Sequence, residues 1–128
     1  LGRNMGFHVE NFDNYAGHIE FGEGEKTLGI LCHADVVPCG EGWICDPYVP
    51  EIIDGILYGR GVLDDKGPLI VCLYAMKILK DLQIPLGKKV RLIVGTNEET
   101  NWDVWITILT KNTYQSRISP SLLTLSFR

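Results

Sequence analysis

No apolar run in this sequence approaches the roughly 20 residues that a bilayer-spanning helix needs, so a membrane span is not expected. The opening Leu1-Gly2-Arg3-Asn4-Met5-Gly6 lacks the layout of a signal peptide. It also lacks an initiator Met, which points to a start inside a longer gene. Positive charge is not in excess. Twelve Lys and Arg stand against 16 Asp and Glu, a formal net charge of -4, so neither nucleic acid nor an anionic membrane is favoured as a partner. The four cysteines, Cys32, Cys39, Cys45 and Cys72, contain no C-x-x-C pair, and an even count alone is poor evidence of disulfides. Reduced thiols in a cytoplasmic protein are the expectation, with Cys32 and Cys72 as small core residues.

What remains is a globular composition, 45% hydrophobic and 22% charged, over 128 residues, enough for one ordinary domain. Gly17 to Gly22 alternates through His18, Ile19, Glu20 and Phe21 and reads as a half-buried strand. Leu28-Gly29-Ile30-Leu31-Cys32 is continuously apolar, as in a buried strand, and ends at His33. A loop rich in Gly and Pro follows, and then Asp54-Gly55 signals a hairpin between Ile52 and Tyr58. Gly67-Pro68 opens a helix running to about Gln83, with Pro68 at the first helical position and Asp64 and Asp65 just before its positive end. Leu69, Ile70, Leu73, Met76 and Leu79 form its apolar face, and Lys77, Lys80 and Asp81 face water. Lys89 to Val94 is the next strand and leads into Thr96-Asn97-Glu98-Glu99.

Strand, helix, strand predicts a right-handed crossover joining two parallel strands. Their C-terminal ends then share one sheet edge, where open α/β sheets bind ligands. Three clusters meet there: His33 with Asp35, Asp64 with Asp65, and Glu98 with Glu99. Each has a plainer reading by itself: a surface pair, a helix start, a solvated loop. Together they offer metal-centre chemistry. Residues i and i+2 of an extended chain point the same way, so Asp35 can hold the His33 ring nitrogen that faces away from a metal. Adjacent glutamates can divide the work, one coordinating and one accepting a proton from water. His8 and His18 match no metal motif, and Trp43 reads as loop packing. Lys66 is open between supporting the acidic cluster and facing water. Gly59-Arg60-Gly61 lacks the Gly-Lys-Ser/Thr of a phosphate loop.

The motifs His33-Ala34-Asp35-Val36-Val37-Pro38, Gly59-Arg60-Gly61-Val62-Leu63-Asp64-Asp65-Lys66-Gly67-Pro68 and Gly95-Thr96-Asn97-Glu98-Glu99 resemble three ordered motifs of one zinc exopeptidase family. That family includes aminoacylase, acetylornithine deacetylase, succinyl-diaminopimelate desuccinylase and carnosinase. Asn14 to Gly22, Gly42-Trp43 and Lys88 to Val94 are most similar to its dipeptidase V (Xaa-His dipeptidase) branch. The resemblance runs from about residue 2 to Trp102. It implies an α/β fold, part of a phosphorylase/hydrolase-like mixed sheet flanked by helices and here truncated. It implies His33, Asp64 and Glu99 as metal ligands, with Asp64 bridging two zinc ions that cobalt or manganese can replace. Asp35 would orient His33, Glu98 would be the general base, and the Asp64–Asp65 peptide would be cis. The implied substrate is a dipeptide. A deacylase of the same family, a non-catalytic metal-binding protein and a pseudogene product are the alternatives.

Residues 1–102 are thus read as the N-terminal part of a catalytic domain, and 103–128 as a tail without native fold. The family continues Gly-Cys-Met-Asp-Tyr-Tyr-Phe and later Pro-Asp-Ala-Glu-Phe-Pro. One G restored after the Trp102 codon makes Asp103-Val104-Trp105-Ile106 readable as Gly-Cys-Met-Asp, the Asp being forced. The same frame lets Leu122 to Arg128 encode Pro-Asp-Ala-Glu-Phe-Pro. An out-of-frame tail, from a single-base deletion or a sequencing error, is therefore expected, leaving about two protein ligands per zinc where three are usual, and an inactive fragment.

Overall fold

The computed structural model describes residues 1–101, and the expectations for 103–128 lie outside the described residues. Six strands and one helix follow a short 3-10 turn at Arg3–Met5: β1 (His8–Phe12), β2 (Ala16–Phe21), β3 (Thr27–His33), β4 (Glu51–Ile53), β5 (Ile56–Tyr58), α1 (Lys66–Asp81) and β6 (Lys89–Gly95). Strands β1, β2, β6 and β3 form one mixed sheet in that order, and β4 and β5 form a separate hairpin. The expected α/β mixed sheet is present.

Strand β6 lies between β2 and β3, and its Leu92 and Ile93 are almost completely buried, because an inner strand has both faces covered. The β3–β6 pairing is parallel, running from Thr27 opposite Lys89 to His33 opposite Gly95. Helix α1 connects the two strands, as the strand–helix–strand pattern requires. Its Leu73 and Met76 pack with Phe7, Cys32, Val90 and Leu92 to make the main core, flanked by Leu69 and Cys72.

The helix departs from its sequence reading in two places. Ile70 is exposed, as are Val71, Tyr74 and Ile78, so the packed stripe is narrower than the apolar residues suggest. Lys80 does not simply face water. Its Nζ donates to the Met5 carbonyl at 2.7 Å and lies 5.2 Å from the Phe7 ring centroid, tying the N-terminal turn to the helix end.

Strand β1 is an element the sequence reading missed. It pairs antiparallel with β2, with His8 opposite Glu20 and Glu10 opposite His18. The turn between them places Asp13 and Asn14 at φ 55° and 57°, and the Tyr15 N–H donates to the Phe12 carbonyl. Asp and Asn tolerate this left-handed backbone better than other non-glycine residues.

One sheet face carries a buried charge network. Glu20 stands opposite Arg91 in the ladder and accepts from Arg91 Nε at 2.7 Å, while Lys89 Nζ lies 2.9 Å from its other oxygen. Burial works to raise the Glu20 pKa, but hydrogen bonds from Lys89 and Arg91, with their charges, outweigh it and hold the carboxyl below its ordinary value. On the same face His18 is buried. Desolvation, aided by the Arg91 charge, lowers its pKa against the opposing pull of Glu10 and Glu20.

Glu20→Gln is expected to cost about 2–3 kcal/mol, because Arg91 loses a charged partner. A depressed carboxyl pKa stabilises the fold fully above the ordinary carboxylate value. That contribution is lost as pH falls through the folded-state value. Urea melts at descending pH should therefore show the gap between wild type and Glu20→Gln closing in acid.

Candidate active site

The parallel register brings the ends of β3 and β6 to the same level, and Ala34 N–H continues the ladder to the Gly95 carbonyl at 2.9 Å. His33 closes β3, buried to 6% exposure. Glu98 and Glu99 follow β6 within a turn. That turn is tied to β2: Thr96 Oγ1 donates to the Tyr15 carbonyl at 2.7 Å, and Asn97 Nδ2 to the Tyr15 hydroxyl at 3.2 Å.

The loop that brings in the two aspartates depends on glycine. Gly61 has φ +85°, and a Cβ there would lie 2.8 Å from the Val36 side chain. A Cβ on Gly67 would run into the Val62 carbonyl oxygen. Arg60 fastens the same loop by donating to the Cys39 carbonyl at 2.9 Å and lying 5.2 Å from the Trp43 ring centroid. Trp43 donates to that carbonyl at 2.7 Å, so its observed contacts are those of loop packing. Lys66 is exposed.

All five residues singled out from sequence meet at this edge. His33 Nε2 lies 3.0 Å from Asp64 Oδ1 and 3.8 Å from Glu98 Oε2. On the far side of the ring, Nδ1 is 3.1 Å from the Asp35 carbonyl and 3.5 Å from its Oδ1. The expectation that Asp35 holds the outer ring nitrogen takes a different form here: its backbone carbonyl makes the hydrogen bond. Its carboxylate Oδ2 instead accepts the Glu99 N–H at 3.0 Å, joining the two strand ends. His33, Glu98 and Glu99 each offer a donor atom within 4.8 Å of the others, while Asp64 meets the group through His33.

Asp65, placed in the middle cluster by the sequence, is the residue to which it assigned no role. The Asp64–Asp65 peptide is cis, as the resemblance implied. Asp64 keeps a side chain 66% exposed, whereas Asp65 is 6% exposed. Asp65 Oδ2 accepts the backbone N–H of His33 at 3.0 Å and makes no side-chain cap on α1, although it occupies the capping position. The consecutive acids were the available signal, but letters alone do not say which one turns inward.

Electrostatics follow from this crowding. Burial would lower the His33 pKa, but the Asp64 carboxylate, the Asp35 carbonyl and the charges of Glu98 and Asp65 raise it above its ordinary value. Burial raises the Glu98 pKa against the opposing charge of His33, and Glu99, Asp64 and Asp35 raise it further. Among the described residues no Lys or Arg ion pair reaches these carboxylates, and Asp35 Oδ1 is buried without a hydrogen-bond partner. An imidazole nitrogen among carboxylate oxygens is a donor set that fits a divalent cation.

Comparison with known proteins agrees with this geometry. The pattern of Peptidase family M20/M25/M40 matches residues 29–105, which contain the whole cluster. The chain belongs to that family. It is 54% identical over 102 residues to "Putative dipeptidase YtjP" of Bacillus subtilis (strain 168), covering 80% of this chain and 22% of that protein. It is also 54% identical over 98 residues to the Beta-Ala-Xaa dipeptidase of Lactobacillus delbrueckii subsp. lactis, covering 76% and 21%. This M20-family chain thus spans about a fifth of the length of these relatives. Human carnosine dipeptidase 1 superposes with a TM-score of 0.77 at 26% identity, over 91% of this chain and 29% of that one. The yeast (Saccharomyces cerevisiae) di-peptidase Dug1p has the same fold, with a TM-score of 0.74 at 23% identity, over the same shares.

The two aspartates should separate in stability measurements. Asp65→Ala strands the buried His33 N–H and is expected to cost about 1–3 kcal/mol. Asp64→Ala, at an exposed carboxylate, should stay within about 0.5 kcal/mol. Chemical denaturation midpoints of the two variants check this; equal losses would contradict the assignment.

Proposed function

We propose that residues 1–102 form the N-terminal part of the catalytic domain of a cytoplasmic, metal-dependent dipeptidase. The observation that carries this reading is the meeting of His33, Asp35, Asp64, Glu98 and Glu99 at one sheet edge. Identity to a Beta-Ala-Xaa dipeptidase over the same region supports the substrate class. In this reading His33, Asp64 and Glu99 would hold the zinc ions of a two-metal centre. When bound, such ions supply Lewis acidity to a peptide carbonyl and make a water easier to deprotonate.

The chain's own residues do the rest. Asp35 fixes the His33 ring through its carbonyl at Nδ1, leaving Nε2 directed at the centre. Through its carboxylate on the Glu99 N–H it also holds the second glutamate in place. Glu98 takes the proton of the attacking water and passes it to the departing amine, so the peptide C–N bond breaks and two amino acids leave. Its raised pKa, caused first by burial, moves it toward the neutral range, where a base is effective.

By itself the 128-residue chain brings only part of the ligand set, and it should bind zinc weakly without turnover. Residues 103–128 are proposed to be read out of frame. The codon fit to the family's continuation is the support for this reading. An intact reading frame for the tail on resequencing the locus would refute it.

Calorimetric zinc titration of the purified chain, with dipeptide hydrolysis assayed alongside, tests the incomplete centre; tight binding of two ions with turnover would overturn it. In the gene restored to its relatives' length, Glu98→Gln should keep zinc affinity and lose about 10²- to 10⁴-fold in kcat. Asp64→Asn should weaken metal binding itself. Loss of zinc in Glu98→Gln with unchanged kcat per bound metal would reverse the assigned roles.

A further inference from the structure

A second cluster of metal-binding side chains lies on the β1–β2 hairpin, away from the β3–β6 edge. His8 and Glu10 are two residues apart on β1, so strand alternation puts them on one face. His18 on β2 stands directly opposite Glu10, on the same face. The Asp13-Asn14 turn sets this register. Glu10 reaches both rings: Oε1 lies 3.2 Å from His8 Nε2, and Oε2 lies 4.0 Å from His18 Nε2. One donor atom from each of the three residues falls within 4.8 Å of the other two.

We propose that His8, Glu10 and His18 form a binding site for a first-row divalent transition metal, distinct from the centre at the sheet edge. Donors at the corners of a tetrahedron with zinc–nitrogen bonds of about 2.05 Å are about 3.3 Å apart. With one donor atom from each residue within 4.8 Å of the other two, the three are near that spacing, and binding would draw the exposed His8 and Glu10 side chains inward. Imidazole nitrogens with one carboxylate suit zinc, cobalt, nickel or copper better than calcium or magnesium, which prefer all-oxygen sets.

The surroundings hold the buried ligand and leave the others reachable. The Phe12 ring packs against His18 at 5.8 Å between centroids, limiting its rotation. His8 and Glu10 are exposed, while His18 is buried. The nearby Arg91 guanidinium is engaged by Glu20, so its charge is partly neutralised.

The test is metal titration of the 128-residue chain with Co²⁺ and Zn²⁺ in a background carrying His33→Ala and Glu99→Gln, which removes donors at the sheet edge. The expected result is one equivalent of bound metal, visible as cobalt d–d absorption. Zinc should also shift the ring nitrogen resonances of His8 and His18. Adding His8→Ala or Glu10→Gln should each weaken binding by more than about tenfold, since even outer partners of a metal ligand have effects of that size. Glu23→Gln, at an exposed acid elsewhere, should leave it unchanged. Both His8 and Glu10 are exposed, so these variants keep the fold. The proposal is overturned if the background chain binds no metal, or if the His8→Ala and Glu10→Gln titrations overlay their parent. Because two sheet-edge ligands, His33 and Glu99, are removed throughout, failure here leaves the dipeptidase reading intact, and the reverse also holds.

Discussion

Everything at the sheet edge depends on the parallel pairing of β3 with β6. The side-chain period of a strand is two, so a slip of one residue would send His33 to the opposite face and move every core residue with it. The pairing runs unbroken from Thr27–Lys89 to His33–Gly95, and the Ala34 N–H extends it one residue further. Its apolar face supplies Cys32, Val90 and Leu92 to the core under α1. The same hydrogen bonds that bury these side chains fix the distance between His33 and the Glu98-Glu99 turn.

Buried and exposed carboxylates divide their tasks. Asp65 and Asp35 spend their oxygens on backbone N–H groups, of His33 and of Glu99, and so lock the two strand ends. Asp64 and Glu98 face the ring nitrogen that points outward. A buried carboxylate satisfied by a backbone donor is a rigid support, whereas one left near other acids carries an unbalanced charge. Rigidity is therefore supplied by the inner pair.

The strands and helix that form this edge were legible because their signals are continuous: an apolar run ending at His33, Pro68 near a helix start, and an apolar run to Val94 that leads into Thr96-Asn97-Glu98-Glu99. What stayed hidden depended on pairings the local sequence does not encode. Strand β1 is half polar, and its turn uses Asp13-Asn14 in place of the Asn-Gly or Asp-Gly that marks most tight hairpins. Lys80 finds its partners at Met5 and Phe7, more than 70 residues earlier in the chain. Asp64 and Asp65 carry the same letter, and only the path of the loop around Gly61 and Gly67 decides which one is buried.

The two faces of the main sheet also differ in how they specify structure. Under α1 the contacts are apolar, and such surfaces tolerate many arrangements of similar volume. The opposite face holds Glu20 against Arg91 and Lys89, and Glu10 between His8 and His18. Charged groups that are partly buried penalise any register that separates them, because an unpaired charge out of water costs far more than the pair contributes. Glu20 sits opposite Arg91 in the β2–β6 pairing, so it pins that antiparallel ladder. The apolar face provides the driving force for folding, and the polar face selects the single alignment in which β2 anchors Tyr15, and through it Thr96 and Asn97 beside the sheet edge that carries His33.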